Sequence, residues 1–194
     1  MSILLAELGL EYRVRPVNIR AGEQFAAHLA ALNSYSKLPI VTWTEAGAKQ
    51  VLHESGAILL YFAEAAGSLF PAAGPGRREA LRWLMVVLTS LGPLSGEAHH
   101  WNRLSRVEQP AAAAYARAKL ERLYSVLDRR LSESEYLASA YSIVDVAAFP
   151  WIERIGWTGL SLDDYPATRG WFARVAARPA VQAGMRVPAG VTLD

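Results

Sequence analysis

Through Phe70, apolar and polar positions change places in short bursts. Ser2–Leu8 reads as the stub of a helix. Glu11–Ile19, "EYRVRPVNI", sets Tyr12 and Val14 against Arg13 and Arg15, the two-residue period of a strand. Pro16 has no N–H to give a ladder, so that strand belongs at a sheet edge. Phe25–Leu32 predicts a short helix, and Leu38–Trp43 and Lys49–Leu52 predict strands. From Ala57 onward, Leu59, Phe62, Ala63 and Ala66 recur at helical spacing. The pattern is α mixed with β.

"FPAAGPGRRE", Phe70–Glu79, holds two prolines and two glycines and reads as a linker. Beyond it only helical period is found. Leu81, Leu84, Met85 and Leu88 share one face, and Leu120, Leu123, Leu127 and Leu131 share another. Ile143, Ala147, Trp151, Ile152 and Ile155 cover an arc broad enough for a helix buried nearly all round. Gly92-Pro93 predicts a kink. Ser142-x-x-Asp145 is the spacing of a capping box, a folding element. The expected architecture is a small α/β domain over residues 1–70 and an all-helical domain of five or more helices over residues 77–188.

Composition narrows the function. Hydrophobic residues make up 52% and charged residues 20% of 194 positions, a globular balance. The net charge of +2 is scattered, with no basic stripe for nucleic acid. The longest uncharged apolar run, Ala57–Ala63, falls far short of the ~20 residues that span a bilayer. No secretory signal pattern is found at Met1. There is no cysteine, which removes disulfides, thiolate metal sites and a cysteine nucleophile and fits a reducing compartment.

"VLHESGAILLYFAE", Val51–Glu64, places polar residues between a strand and a helix. Ser55 is positioned as an N-cap. The helix start also offers outward amides and the positive end of the dipole to a carboxylate, and Glu54 offers a negative charge to an ammonium. Together they suit an amino-acid zwitterion; a plain capped helix is the other reading. In "NSYSKLPIV", Asn33–Val41, a proline enters a strand directly after a loop. A cis bond at Pro39 would turn the Leu38 backbone outward to pair with an extended peptide. His99 and His100 are adjacent and point in different directions on a helix, so no metal site is expected.

"GEQFAAHLAALNSYSKLPIV", "ESGAILLYFAE", "GPLSGEAHHW" and "EYLASAYSIVDVAAFPWI" resemble the cytosolic glutathione transferase family, and within it the Nu class of bacterial enzymes that are similar to the yeast nitrogen-regulator prion protein. The likeness runs from Ser2 to Pro188. It implies a thioredoxin-like domain followed by an all-helical domain, in a two-fold homodimer in the cytoplasm. It implies glutathione as co-substrate, with its γ-glutamyl end at Glu54 and Ser55 and its cysteinyl backbone against Leu38 before cis-Pro39. Gln24 and Lys37 match positions that help hold the peptide. The helix carrying His100 and Trp101 lines the cleft in relatives, so these two either touch a second substrate or pack at a helix end.

The chain departs from the family pattern in several places. Relatives open with a strand and a turn bearing Thr-Pro-Asn, which carries the group that acts on the sulfur; here the sequence starts near the following helix, so no catalytic residue is assigned. Ser2 matches a position beyond that turn. Without that strand the sheet loses its middle, so either the frame begins late or the N-terminal half is remodelled. The family's Asn-Pro-Asn loop reads Asn33-Ser34-Tyr35, Glu97 replaces a cleft glutamine, and Tyr115 stands near an expected arginine, with Arg117 the nearest cation. The implied activity is glutathione-dependent thiol transfer or disulfide reduction on small substrates, weak in this 194-residue chain. The alternatives are a non-catalytic glutathione-binding or regulatory module, and a remnant that keeps only its helical domain.

Overall fold

The computed structural model describes residues 1–188. Helix α1 (Ser2–Glu7) opens the chain, and α2 (Ala27–Ala30) is a single turn. Strands β1 (Ile40–Glu45) and β2 (Ala48–His53) pair antiparallel, with Thr42 opposite Val51 and Trp43 opposite Gln50. Ala46 and Gly47 connect them, both with positive φ, 48° and 79°, as a two-residue type I′ hairpin requires. Helix α3 (Ser55–Ala66) packs on the hairpin through Trp43, whose ring lies 5.0 Å from Tyr61 and 5.6 Å from Phe62.

The strand expected over Glu11–Ile19 does not form. Residues 11–18 are irregular, and Tyr12 and Val14 stay exposed. A strand exists only where a neighbour takes its ladder bonds. Among the described residues the one sheet holds β1 and β2, which pair with each other, and no strand pairs with 11–18. The helix expected over Phe25–Leu32 is broken into a 3₁₀ turn, Glu23–Phe25, and α2, with Phe25 exposed. The first strand of the hairpin starts at Ile40 rather than Leu38.

From Gly74 the chain is helical: α4 (Gly74–Val86), α5 (Gly92–His99), α6 (Pro110–Glu133), α7 (Ile143–Glu153), α8 (Pro166–Ala176) and α9 (Pro179–Met185). Helix α4 thus begins inside the expected linker. At Gly92-Pro93 the chain stays helical, and the irregularity lies one turn earlier as a π turn over Val87–Leu91. There Gly92 N–H reaches back to the Val87 carbonyl. Pro93 has no N–H for the Thr89 carbonyl, and a π turn absorbs such a defect without a break.

Helix α7 is the hub, with Ile143, Val144, Val146, Ala148, Phe149 and Ile152 all buried. The capping box forms: Ser142 Oγ accepts from Val144 N at 3.2 Å, and Asp145 Oδ2 accepts from Ser142 N at 3.0 Å. Asp145 Oδ1 also accepts from Leu137 N and from the Trp171 indole, at 3.1 and 2.8 Å. One buried carboxylate thus ties together the loop before α7, α7 itself and α8. Helix α1 is drawn into the same body. A Cβ on Gly184 of α9 would fall 2.5 Å from the Ile3 backbone, so only glycine permits that approach. Glu7 accepts from Arg178 through both oxygens, at 2.7 and 2.9 Å, and from Tyr141 Oη at 2.9 Å.

Candidate functional site

The segment before β1, the start of α3, the π turn, α5 and α7 converge on a cleft of about 480 Å³, within the usual size of a small-molecule site. One wall comes from the segment before β1. Asn33, only 2% exposed, organises it: its Nδ2 donates to the Lys37 carbonyl at 2.9 Å and its Oδ1 accepts from Tyr35 N at 3.0 Å. This clasp presents Tyr35, Lys37, Leu38 and Pro39 to the cleft, and the Leu38–Pro39 peptide is cis, as expected.

The second wall is the start of α3. The expected N-cap role of Ser55 is corrected: Glu54 is the N-cap residue, with φ 69° and ψ 113°, and Ser55 is the first residue of the helix. No side chain caps α3. The first backbone bond runs from Ile58 N to Glu54 O at 3.0 Å, which leaves the first-turn amides and the Ser55 hydroxyl for a ligand. A non-glycine residue at positive φ is strained, and such residues gather at ligand sites. Here the strain accompanies a carboxylate set beside the positive end of a helix.

The third wall is apolar. Val87 and Leu88 come from the π turn, Gly92, Pro93 and Gly96 from α5, and Trp151 from α7. A smaller cavity of about 340 Å³ shares Glu54, Ser55 and Leu88 with it and is bounded also by Leu60 and Met85. Leu88 borders both, as Glu54 and Ser55 do, and it packs so tightly on α3 that a Cβ on Gly56 would fall on its Cδ1.

The structure therefore brings Lys37, Leu38, Pro39, Glu54 and Ser55 together. It does not bring Gln24, His100 or Trp101 to the lining. Gln24 sits in the 3₁₀ turn before α2, its Oε1 buried and without a hydrogen-bond partner among the described residues. His100 is exposed in a second π turn, His100–Leu104, with its ring 4.6 Å from that of Trp101, which packs on the core. The adjacent His99 points inward instead. It is buried between Trp151 and Trp157, at ring separations of 6.1 and 5.6 Å. Burial pushes its pKa down, only partly offset by a hydrogen bond to the Arg154 backbone. Among the described residues no cluster of His, Asp and Glu could hold a metal ion, and no helix is long and apolar enough to cross a membrane.

Glu97 and Ser2 are both engaged away from the cleft. Glu97 is paired with Lys119 at 3.0 Å and is absent from the lining, so its charge does not oppose an anion in the cleft. Ser2 Oγ donates to the Gly184 carbonyl at 2.7 Å, which commits it to the seam between α1 and α9. Tyr35, Gly92, Gly96 and Trp151 are site residues that sequence reasoning missed. Trp151 carried a helical-face signal that fitted a core role equally well, and glycines carry no side-chain chemistry to notice.

A hairpin and helix carry one side of this cleft, and an all-helical half carries the other. The glutathione S-transferase N-terminal domain model matches residues 1–64, and the glutathione S-transferase C-terminal domain model matches residues 80–179. The chain belongs to the glutathione S-transferase family, with a thioredoxin-like N-terminal domain followed by a helical C-terminal domain. It is similar to the disulfide-bond oxidoreductase YfcG of Escherichia coli, 34% identical over 186 residues that cover 93% of this chain and 86% of that one. Among solved structures, a glutathione transferase from Burkholderia graminis, with two glutathione molecules bound per subunit, superposes with a TM-score of 0.89. It is 32% identical, over 98% of this chain and 83% of that one. A glutathione transferase from Pseudomonas putida, with one glutathione disulfide bound per subunit, also gives 0.89, at 30% identity over 96% of this chain and 85% of that one.

Proposed function

We propose that this protein is a glutathione-dependent enzyme that transfers thiols or reduces disulfides on small substrates, with glutathione lying across the cleft. The observation that carries the reading is the convergence of Lys37, Leu38 and Pro39 with Glu54 and Ser55 on one cleft. In this reading the γ-glutamyl carboxylate meets the Ser55 amide and hydroxyl, its ammonium meets Glu54, and the cysteinyl backbone pairs with Leu38. Lys37 and the α3 dipole offset the peptide's negative charge. The similarity to disulfide-bond oxidoreductases of Escherichia coli and to transferases that bind glutathione or glutathione disulfide supports it.

The chemistry is thiol–disulfide exchange. The glutathione thiolate attacks one sulfur of the substrate disulfide, forming a mixed disulfide and expelling a substrate thiolate that takes up a proton. A second glutathione attacks the mixed disulfide, releasing the other substrate thiol and glutathione disulfide. The protein supplies binding and orientation, and the peptide supplies the sulfur. The Nu class, a division into domains at 1–70 and 77–188, a homodimer and a cytoplasmic setting belong to this same reading.

The test is reduction of a small dialkyl disulfide with glutathione as reductant. Saturable turnover that falls several-fold in kcat/KM on Lys37→Ala is expected. Glutathione binding without turnover above the uncatalysed rate would replace this reading by that of a non-catalytic glutathione-binding or regulatory module. That second reading is favoured by one observation: the Ser2 hydroxyl, the O–H on α1 that could donate to a thiolate, already donates to the Gly184 carbonyl.

A further inference from the structure

Lys37 and Glu54 are the charged side chains of the cleft lining, and among the described residues neither has an ion-pair partner. What Lys37 does have is a ring. Its Nζ sits over the face of Tyr35, 5.6 Å from the centroid, within the reach of a cation–π contact. Tyr35 lines the same cleft and is 70% exposed, so core packing does not account for an aromatic ring there. The backbone brings the two side chains together. Asn33 grips both ends of the stretch from Tyr35 to Lys37, accepting from Tyr35 N at 3.0 Å and donating to the Lys37 carbonyl at 2.9 Å. Ser36 N donates to the Asn33 carbonyl at 2.9 Å, and Ser36 takes a left-handed φ of 54°. That turn closes the chain between ring and ammonium, and the buried Asn33 side chain locks it.

We propose that Tyr35 is a positioning residue for the peptide: its ring holds the Lys37 ammonium at the cleft, ready for the glycyl carboxylate of glutathione. This rests on the reading of the cleft as a glutathione site. With the γ-glutamyl end at Glu54 and Ser55 and the cysteinyl backbone at Leu38, the carboxylate left over is the glycyl one. Lys37 adjoins Leu38 and is the cation of the lining. A lysine already resting on a ring gives up less side-chain freedom on meeting an anion than one that swings in solvent. An exposed cation–π contact is modest, so Tyr35 tunes affinity and does not create it.

The experiment is calorimetric titration of glutathione, and of its monoethyl ester blocked at the glycyl carboxylate, into the wild type, Tyr35→Leu, Tyr35→Phe, Lys37→Ala and the double variant Tyr35→Leu/Lys37→Ala. Tyr35→Leu, which keeps an apolar side chain but removes the ring, should raise the glutathione Kd about two- to fivefold. Tyr35→Phe, which keeps the ring face, should retain the wild-type Kd. The ester should bind the wild type and Tyr35→Leu alike, and Tyr35→Leu should change nothing once Lys37 is alanine. A wild-type Kd in Tyr35→Leu overturns the proposal. So does equal weakening for the peptide and its ester, an undiminished loss in the Lys37→Ala background, or a phenylalanine variant as weak as the leucine one. A second measurement needs no ligand. In NMR spectra the Lys37 ε-methylene protons, assigned by their loss in Lys37→Ala, should lie upfield of ordinary lysine through the ring current of Tyr35. The displacement should persist in Tyr35→Phe and vanish in Tyr35→Leu; an ordinary lysine shift in the wild type overturns the hold of the ring on the ammonium. A wild type with the displaced shift that binds no glutathione overturns the glutathione reading instead.

Discussion

The two halves of the molecule are stabilised very differently. Between Leu10 and Ala57, Leu29 is the only buried hydrophobic side chain. From Ala80 to Val181 every helix contributes fully buried residues, Leu84, Leu120, Leu127, Ile143, Ile152 and Trp171 among them. The parts of the N-terminal half that are buried, Ile3 and Leu4 of α1 and Ile58, Leu59 and Ala63 of α3, belong to the elements that touch the helical half. The helical domain is therefore a scaffold, and the ligand-facing loops hang from it through α1 and α3. Binding sites are commonly built this way, with loops positioned by a rigid body.

The largest effect should come from the centre of the scaffold. Asp145→Ala leaves the Leu137 and Ser142 amides and the Trp171 indole, all buried, without an acceptor. Each buried donor left unsatisfied costs about 1–3 kcal/mol, so a loss of roughly 3–5 kcal/mol is expected in urea unfolding. A loss under about 1 kcal/mol would mean that the scaffold is not organised around this carboxylate.

Next comes the seam. Glu7 is 9% exposed and bound by Arg178 and Tyr141. Glu7→Gln should cost about 2 kcal/mol, because hydrogen bonds to a charged group are worth about 1.5–3 kcal/mol. Burial pushes the Glu7 pKa up, but the bonds from Arg178 and Tyr141 outweigh it and leave it below the ordinary 4.5. A depressed carboxylate stabilises the fold fully above its unfolded value and ceases to do so as pH falls through the folded one. Wild-type stability should therefore drop below about pH 4.5, and the Glu7→Gln variant should lack that part of the drop.

Smaller still is Glu54→Gly, which relieves a strained φ of 69°. It should raise stability by about 0.5–1 kcal/mol while weakening glutathione binding. Ile19→Ala, in an exposed position of the N-terminal half, should change stability by no more than about 0.5 kcal/mol.

The scaffold was legible in sequence because its signals are local and periodic. The face Leu120–Leu127–Leu131 and the box Ser142–Asp145 formed as their spacing required. Of the cleft residues, Glu54 and Ser55 were suggested by the strand–helix junction and Leu38 and Pro39 by a proline entering a strand, while Lys37 came from motif resemblance alone. The strand at Glu11–Ile19 was misread because alternation reports what a segment can do, while a ladder needs a neighbour that periodicity cannot supply. Ser55 was placed one position early because Glu54 adopts a backbone conformation unusual for its type. Trp151 and Gly96 reach the cleft only through the packing of α5 on α7, a tertiary fact with no local signature.

The central claim is that glutathione is held at the start of α3. Its most direct test is calorimetric titration of glutathione into the wild type and Ser55→Ala, with unfolding curves recorded for both. The account predicts indistinguishable stability and a Kd at least tenfold weaker in the variant, the loss of a hydrogen bond to a charged group being about 1.5–3 kcal/mol. Equal affinity in the two proteins would contradict it.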